Sequence, residues 1–469
     1  MDKKELRIIP ILGIGIYLVS LLIIGLVFSG HRMEPLFQLW GIGEVLFFFV
    51  LAWFFYQRWS NDDPKRFWRK VFWTALGLRA LYAFLTCYYY YYQTGIPFEY
   101  SAADSLSYHR TAVYLSKIVR EGHLGYPFQY LFGTTMGFSD SGYTLWLTLI
   151  YTIVGPNVLV PRLLKALMSA YMCIVIYKLA SRTFDEKTGR LAAVMSVFLP
   201  IFIQITGLHF KECEMIFLSV LALERIDYLI RSKRYTFWNI AFPILLTGLT
   251  FGFRTIIGMC IIFATLVFVV LSTQDLVNKK GKLISVAIVV VVFFVFLLTP
   301  VGNEMKNIYR LKFTDINYQS EKFEQGGMEH SGLAKNVYAL PGAFVMPVAS
   351  MVDVANANQK MLNGSVYVKN FLAFFAMFAI LIAFRERRWR NFSLIGAYEL
   401  SYLAIIMLSF AFNSERYHEP AIPLLVVMAA YALTHIQKKD KKFFFIYCGL
   451  LLVALVGWNW LKLSARGLI

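Results

Sequence analysis

The chain is poor in charged residues. Only 16% of its 469 residues are Asp, Glu, Lys or Arg, and 58% are hydrophobic, whereas an ordinary soluble domain has about 25% charged residues. No long polar linker divides the sequence into smaller units. A water-soluble protein could not bury this much apolar surface in one core. The composition therefore excludes an ordinary soluble protein and predicts a single integral membrane domain over residues 1–469.

Cysteine motifs and internal repeats are also lacking. The 5 cysteines include no CxxC pair, so the sequence indicates neither a zinc site nor a disulfide framework. No set of candidate ligands decides whether a divalent metal is used, and no cofactor is predicted with certainty. The absence of a repeat argues against a secondary transporter, because many transporters are built from repeated halves.

The net charge of +18 does not indicate nucleic-acid binding. A phosphate-tracking surface needs basic residues gathered on one face or element. Here they occur in short clusters between apolar runs. This distribution is how orientation in a membrane is encoded, so no nucleic-acid partner is expected.

Thirteen apolar runs are long enough to cross a bilayer, or nearly so. They cover residues 8–28, 37–56, 71–88, 158–180, 189–208, 212–230, 236–252, 255–272, 283–300, 368–384, 392–411, 419–436 and 443–460. The predicted fold class is therefore an all-α polytopic membrane protein with about 13 transmembrane helices.

The basic clusters predict the orientation of these helices. If the N-terminus is cytoplasmic and each run crosses once, every strong Lys/Arg cluster falls on the cytoplasmic side, as the positive-inside rule demands. We therefore expect a multi-pass protein of a bacterial inner (plasma) membrane.

Two long segments then fall on the extracytoplasmic side, 89–157 and 301–367. The first contains an amphipathic stretch from Ala102 to Arg120 and a short apolar run from Gly142 to Val154. Both are predicted to form helices at the membrane interface. The second loop is polar, and we expect it to help recognise an acceptor or donor.

Charged residues outside the cytoplasmic clusters gather at this same extracytoplasmic face. They come from five separated stretches: Asp104, Arg162, the segment His209 to Glu214, Arg254, and Glu415-Arg416-Tyr417-His418. Charges near lipid are costly and tend to mark function. Cations at this depth suit the phosphate of a lipid-linked sugar. One carboxylate could act as general base on an acceptor hydroxyl.

The order of these motifs resembles the GT-C glycosyltransferases, in the branch of protein O-mannosyltransferases and lipid A aminoarabinose transferases. The resemblance begins with Asp104-Ser-Leu-Ser-Tyr108 and continues with Gly142-Tyr-Thr-Leu-Trp-Leu and Arg162-Leu-Leu. Tyr177-Lys-Leu-Ala-Ser-Arg-Thr-Phe is similar to the family pattern Tyr-x-Leu-Ala-Arg-Arg-Leu-Phe. Glu415-Arg416-Tyr417-His418-Glu-Pro420 resembles an Arg-Tyr-x-x-Pro pattern.

This resemblance implies an inverting glycosyltransferase that uses a polyprenyl-phosphate sugar donor. The acceptor would be a protein, lipid A or a lipid-linked glycan. Asp104 becomes the catalytic base. The implied donor-phosphate ligands are Arg162, Lys211, Arg254 and Arg416, and the further site-lining candidates are Tyr108, His109, Glu212, Tyr417 and His418.

Other interpretations of the same residues stay open. Asp104 could serve only as a helix-capping residue, and each cation could be a snorkelling residue at a span end. Glu44 and Arg79, at matching depth in neighbouring spans, suggest a structural ion pair. At the level of function, the alternatives are a lipid-diphosphate-dependent glycan polymerase or ligase, and a secondary transporter or lipid-glycan flippase.

Overall fold

The computed structural model describes most of the chain. The described residues are 8–100, 102–133, 138–272, 279–298, 340–353, 357–408 and 415–469, with a few positions between 302 and 310. Most of the predicted extracytoplasmic loop 301–367 lies outside these residues.

The first half of the described chain contains thirteen helices. They are α1 (Ile8–Val27), α2 (Pro35–Trp59), α3 (Pro64–Thr94), α4 (Ala103–Arg120), α5 (Tyr126–Gly133), α6 (Phe138–Val154), α7 (Leu159–Thr183), α8 (Glu186–Phe198), α9 (Pro200–Gly207), α10 (Glu212–Ser232), α11 (Phe237–Phe253), α12 (Thr255–Leu271) and α13 (Lys279–Leu297).

The second half adds seven more helices. They are α14 (Leu340–Val345), α15 (Ala357–Met361), α16 (Asn363–Arg385), α17 (Trp389–Leu408), α18 (Glu415–His418), α19 (Ile422–His435) and α20 (Lys441–Ser464). Within the described ranges the only extended pairing is an isolated bridge between Arg32 and Val352. The predicted all-helical class is confirmed.

Each predicted apolar run coincides with a helix or with one bent pair of helices. By length and composition, six helices qualify as membrane spans, and a seventh is counted if the bent pair α8–α9 is one span. The total of 13 transmembrane helices therefore remains a prediction. The two predicted interfacial helices correspond to α4 and α6, and α5 lies between them.

The helices form an inner and an outer group. Most residues of α7, α8, α10, α16 and α19 are buried. By contrast α1, α2 and α20 leave large apolar side chains exposed, among them Leu22, Leu39 and Val453. Helices with such broad apolar outer faces suit contact with lipid acyl chains.

A proline produces the bend between α8 and α9. Pro200 starts α9, and the two helix axes meet at 46°. Because proline has no N–H, the carbonyl of Ser196 loses the donor that a continuous helix would supply. Arg79 of α3 supplies a donor to the Ser196 oxygen at 2.9 Å and also donates to the neighbouring Val197 oxygen at 3.3 Å.

The predicted ion pair between Glu44 and Arg79 is wrong. Glu44 accepts hydrogen bonds from Trp40 Nε1 at 3.1 Å, from Ser365 N at 2.9 Å and from Gln204 Nε2. Arg79 points instead toward α7 and the α8–α9 bend, where Ser169 also accepts a bond from it at 2.7 Å. Matching depth along two helices does not fix the direction in which each side chain points.

Candidate active site at one end of the helix bundle

The termini of several helices bring the predicted charged residues to one end of the bundle. Asp104 lies in the first turn of α4, and Lys211 is the residue before α10. Arg254 is the extended residue that separates α11 from α12. Arg416 belongs to the short helix α18. Because each sits at a helix end, the polar side chains meet outside the apolar interior.

Arg416 joins two carboxylates from distant parts of the chain. Its Nη1 lies 2.8 Å from Asp104 Oδ2, and its Nη2 lies 2.8 Å from Glu212 Oε1. Asp104 is 54% exposed at its side chain, whereas Glu212 is only 1% exposed. Burial lowers the pKa of Arg416, but Glu212 and Asp104 outweigh it, so the net pKa is raised and the charge is secure. The predicted convergence of Asp104, Glu212 and Arg416 is present.

Arg254 is a second guanidinium beside this pair. It interacts electrostatically with Glu212, and its Cζ lies 4.8 Å from the centre of the Tyr417 ring. No carboxylate of the described chain lies within salt-bridge distance of Arg254, and its Nη1 has no hydrogen-bond partner there. Arg254 therefore has a donor to spare for a bound anion.

The salt-bridge partner of Lys211 is Asp140, an acid that the sequence analysis did not select. Lys211 Nζ forms a salt bridge with Asp140, in the first turn of α6, and donates to the Phe253 oxygen at 2.9 Å. Tyr108 donates to the same Asp140 carboxylate at 3.4 Å. Burial and Arg254 lower the pKa of Lys211, and Asp140 opposes that shift. Asp140 thus fixes the position of Lys211 and supports its charge.

A sequence signal for Asp140 existed. It is the acid immediately before Ser141-Gly142, where the interfacial helix was expected to start. A carboxylate in the first turn of a helix is also favoured by the helix dipole. What the sequence could not show is that Lys211 lies opposite it.

Arg162 and His109 have partners outside this cluster. Arg162 is fully buried and donates through Nη2 to the Pro97 oxygen, while its Nε and Nη1 have no partner among the described residues. His109 Nδ1 lies 2.9 Å from the Tyr151 hydroxyl, which lies 3.2 Å from His209 Nε2. Burial and Arg110 lower the pKa of His109, which favours its neutral form. Neither residue contacts Arg416 or Asp104 directly.

The remaining predicted residues contribute to the walls. Tyr417 supplies the ring over which Arg254 lies, and its backbone oxygen accepts a bond from Tyr402 at 2.9 Å. His418 is 2% exposed at the end of α18. Glu419, which the sequence analysis did not select, is 4% exposed and interacts electrostatically with Glu212, Arg416 and Arg254.

An apolar cavity of about 620 Å³ adjoins the cluster. Helices α4, α5, α6, α7, α10 and α11 line it, and Ser141 and Phe253 in its wall are the chain neighbours of Asp140 and Arg254. Gly142 makes the close approach of α6 to α11 feasible, because a Cβ there would lie 2.8 Å from the Gly252 oxygen. Ligand pockets commonly have volumes of about 300–1,000 Å³. The cavity can therefore take an apolar chain whose polar end reaches the charged cluster.

No metal site is evident within the described ranges, where no group of three or more His, Cys, Asp or Glu side chains could hold an ion. The chemistry that the cluster offers by itself is anion binding by guanidinium and ammonium groups, next to a partly exposed carboxylate.

Comparison with known proteins agrees with the motifs. Residues 142–298 match the family described as dolichyl-phosphate-mannose-protein mannosyltransferase. This match confirms the glycosyltransferase resemblance for that part of the chain. No curated protein matches the chain.

Two solved structures with a similar course of the chain are archaeal oligosaccharyltransferases from Archaeoglobus fulgidus. The apo enzyme is 14% identical with a TM-score of 0.47, covering 86% of this chain and 56% of its own. The enzyme AglB in complex with an inhibitory peptide and a dolichol-phosphate is 14% identical with a TM-score of 0.43, covering 87% and 56%. The present chain thus spans little more than half the length of these proteins.

Proposed function

We propose that the protein is a GT-C type glycosyltransferase that transfers a sugar from a polyprenyl-phosphate donor to an acceptor hydroxyl. The reaction would take place at the extracytoplasmic face of a bacterial inner membrane, with inversion at the anomeric carbon. The family match over residues 142–298 supports the reaction class. The observation that carries the proposal is the Asp104–Arg416–Glu212 bridge with Arg254 beside it.

The donor phosphate is assigned to Arg254, Lys211 and Arg416. Arg254 offers a donor with no described partner, so it can bind an anion without first breaking an ion pair. Charge-assisted hydrogen bonds of this kind are roughly twice as strong as neutral ones. They also stabilise the charge that develops on the phosphate as it leaves the sugar. The buried Arg162, which was predicted as a fourth ligand, has no described contact with these three cations and would act on the phosphate only at longer range.

The polyprenyl chain is assigned to the 620 Å³ cavity beneath α6. Its walls are mostly apolar, and it reaches the cluster at Ser141 and Phe253. A lipid tail held there keeps the reacting phosphate at the height of Arg254. Binding energy from the tail then helps to orient the reacting groups.

Asp104 is assigned the role of general base. In the structure its Oδ2 is held by Arg416. A donor phosphate that binds Arg416 would compete for that guanidinium and release the carboxylate toward the acceptor hydroxyl. The carboxylate then accepts the hydroxyl proton while the oxygen attacks the anomeric carbon and the phosphate departs. Attack from the face opposite the phosphate accounts for inversion.

Substituting the carboxylate tests this assignment. Asp104→Asn should reduce transfer by about 10²–10⁴-fold, the usual contribution of a general base, with unchanged donor binding. Purified protein in nanodiscs would be given a polyprenyl-monophosphate sugar, and product would be detected by mass spectrometry. Asp63→Asn, which alters the carboxylate that caps α3 and accepts from Lys65 N at 3.0 Å, is the matched control. Full transfer by Asp104→Asn would exclude the role.

Three measurements separate the alternatives. Product formed only from a lipid-diphosphate donor would favour a glycan polymerase or ligase. Accumulation of substrate by proteoliposomes without any transfer would favour a transporter or flippase. Placement of residue 104 in the cytosol by labelling of intact cells would overturn the proposed membrane orientation.

A further inference from the structure

An apolar crevice runs inward from the end of the bundle opposite the charged cluster. It has a volume of about 150 Å³, and α10, α11, α12 and α13 line it together with Tyr235, which lies between α10 and α11. Helices α10 and α12 end on this side and α11 and α13 begin there, whereas Lys211 and Arg254 lie at the opposite helix ends. The crevice shares no lining residue with the 620 Å³ cavity, so it is a separate site.

The walls of this crevice suit an acyl chain. Most of the lining side chains are Ile, Leu or Val. The Thr247 hydroxyl donates to the Pro243 oxygen at 2.8 Å and the Thr265 hydroxyl to the Ile261 oxygen at 2.7 Å, so both are bonded within their own helices. Ile288 in the wall is 42% exposed, so the crevice opens sideways, where lipid chains would be.

Basic side chains contact the helix end that forms the mouth of this crevice. Lys282, near the start of α13, donates through Nζ to the Val270 oxygen at 3.0 Å. Arg231, at the end of α10, lies over the Phe268 ring with its Cζ 5.4 Å from the ring centre. Phe268 and Val270 are the chain neighbours of Val269, which lines the crevice. Both cations therefore lie at its mouth.

Two further cations extend this basic mouth. Arg234 directly precedes Tyr235 of the crevice wall, and Lys279 lies one helical turn before Lys282. Both are exposed, and no carboxylate of the described ranges lies within salt-bridge distance of either. Exposed Lys and Arg side chains at a membrane surface attract anionic lipid head groups. The mouth therefore offers positive charge directly above an apolar crevice.

We propose that this crevice binds an anionic phospholipid from the leaflet on its own side, which the basic clusters predict to be cytoplasmic. The phosphate lies at Arg234, Lys279 and Lys282, and the first part of one acyl chain lies between α10, α11, α12 and α13. From Val269 to Ile261 the crevice extends roughly 12 Å along α12.

The charge of the mouth and the apolar walls together select this ligand. A zwitterionic lipid carries an ammonium group that the same cations repel. A peptide would bring a polar N–H and C=O at every residue into walls that offer them no partner. The positive-inside rule accounts for basic residues at this end, but it does not require them to surround an apolar crevice.

Native mass spectrometry of the full-length protein, released from detergent micelles, tests lipid binding directly. The probes are phosphatidylglycerol and phosphatidylethanolamine with identical acyl chains, each titrated into delipidated protein. At the tightest site phosphatidylglycerol should bind at least about fivefold more strongly, because a single cation near a membrane surface contributes about that factor. Equal affinity of the wild type for the two lipids would overturn the proposal.

Substitutions at the mouth locate the head group. Arg234→Gln and Lys279→Gln, on separate elements, should each weaken phosphatidylglycerol binding about fivefold and leave phosphatidylethanolamine binding unchanged. Arg66→Gln is the matched control, because Arg66 is an exposed arginine in the first turn of α3, away from the crevice lining. It should bind both lipids like the wild type. An equal loss in Arg66→Gln would assign the selectivity to overall charge and overturn the site.

A substitution in the wall locates the acyl chain. Ser285 is a small side chain that lines the crevice, so Ser285→Phe should fill it and remove the tight phosphatidylglycerol site. Ala287→Phe is the matched control, since Ala287 is exposed on the same helix and does not line the crevice. Unchanged binding by Ser285→Phe would overturn the crevice as the site. Asp104→Asn should bind phosphatidylglycerol normally, so the lipid site can be tested independently of the proposed reaction.

Discussion

Arg79 and Arg416 differ in burial and in the charge of their hydrogen-bond partners. Arg79 is fully buried within the bundle, and its hydrogen bonds go to neutral groups, Ser169 and the Ser196 and Val197 oxygens. Arg416 lies at the bundle end with 32% of its side chain exposed, and its partners are the carboxylates Asp104 and Glu212.

This contrast separates a structural cation, Arg79, from Arg416, the cation that we propose binds substrate. Donors that already satisfy helix carbonyls cannot turn to a substrate without unpairing the backbone, which is costly in an apolar interior. An arginine held by a partly exposed carboxylate can exchange that partner for another anion. Substitutions at the two positions should accordingly affect different measurements.

The largest effect is expected for Arg79→Met. The substitution leaves the Ser196 and Val197 carbonyls without their described donor, at about 1–3 kcal/mol for each unpaired buried group. Since total stability is about 5–15 kcal/mol, the variant should yield little folded protein. Size-exclusion chromatography and thermal unfolding in detergent would measure this. Arg58→Met, at an exposed arginine, is the control and should unfold like the wild type.

Arg416→Lys should reverse that pattern, with a large loss of activity and normal unfolding. Lysine keeps the positive charge near Glu212, so the fold is retained, but it cannot reproduce the forked bonds to two carboxylates. Transfer should fall about 10²-fold, close to the effect of removing one electrostatic donor. Arg110→Lys, on the exposed face of α4, should have near-normal activity. Unfolding of Arg416→Lys at a clearly lower temperature would make Arg416 a structural residue like Arg79.

A smaller, pH-dependent effect is expected for Asp140→Asn. The Asp140 carboxylate raises the pKa of Lys211 against the lowering by burial and Arg254, so its loss should lower that pKa further. Because the ammonium loses its proton as pH rises through the pKa, the alkaline limb of the kcat/KM profile should move to lower pH. In a Lys211→Arg background the shift should vanish, since arginine does not titrate in this range. A persistent shift there would assign the limb to another group.

The smallest effect is expected for Tyr108→Phe. The Tyr108 hydroxyl donates to Asp140 at 3.4 Å, a long hydrogen bond. Its loss should change kcat/KM only about two- to fivefold, consistent with one weak bond, and should leave the melting temperature within a degree or two. A loss as large as that of Asp104→Asn would place Tyr108 among the catalytic residues.

The helices could be predicted from the sequence because one physical requirement explains every long apolar run. Long hydrophobic stretches form helices in lipid, since every backbone polar group must be paired internally. The positions of α4 and α6 followed from amphipathic spacing and from a run too short to cross. The start of α16 at Asn363 was missed, because polar residues precede the apolar run that was predicted from residue 368.

The site was predictable only in part. The sequence could predict that Asp104, Glu212 and Arg416 lie near one another, because helix ends on the same side of a bundle lie at similar depth. Asp140 was missed because its importance comes from Lys211, a partner 71 residues away. The predicted ion pair between Glu44 and Arg79 was wrong because the direction of a side chain around its helix depends on tertiary packing, which the sequence pattern does not show.

The bend at Pro200 has a consequence for which substitutions the chain can tolerate. Pro200 lacks the N–H that would bond the Ser196 oxygen of α8, and the Arg79 guanidinium of α3 donates to that oxygen instead. Substitutions at these two positions should therefore be energetically coupled. A variant with an ordinary amide at position 200 should tolerate the loss of Arg79 better than the wild type does.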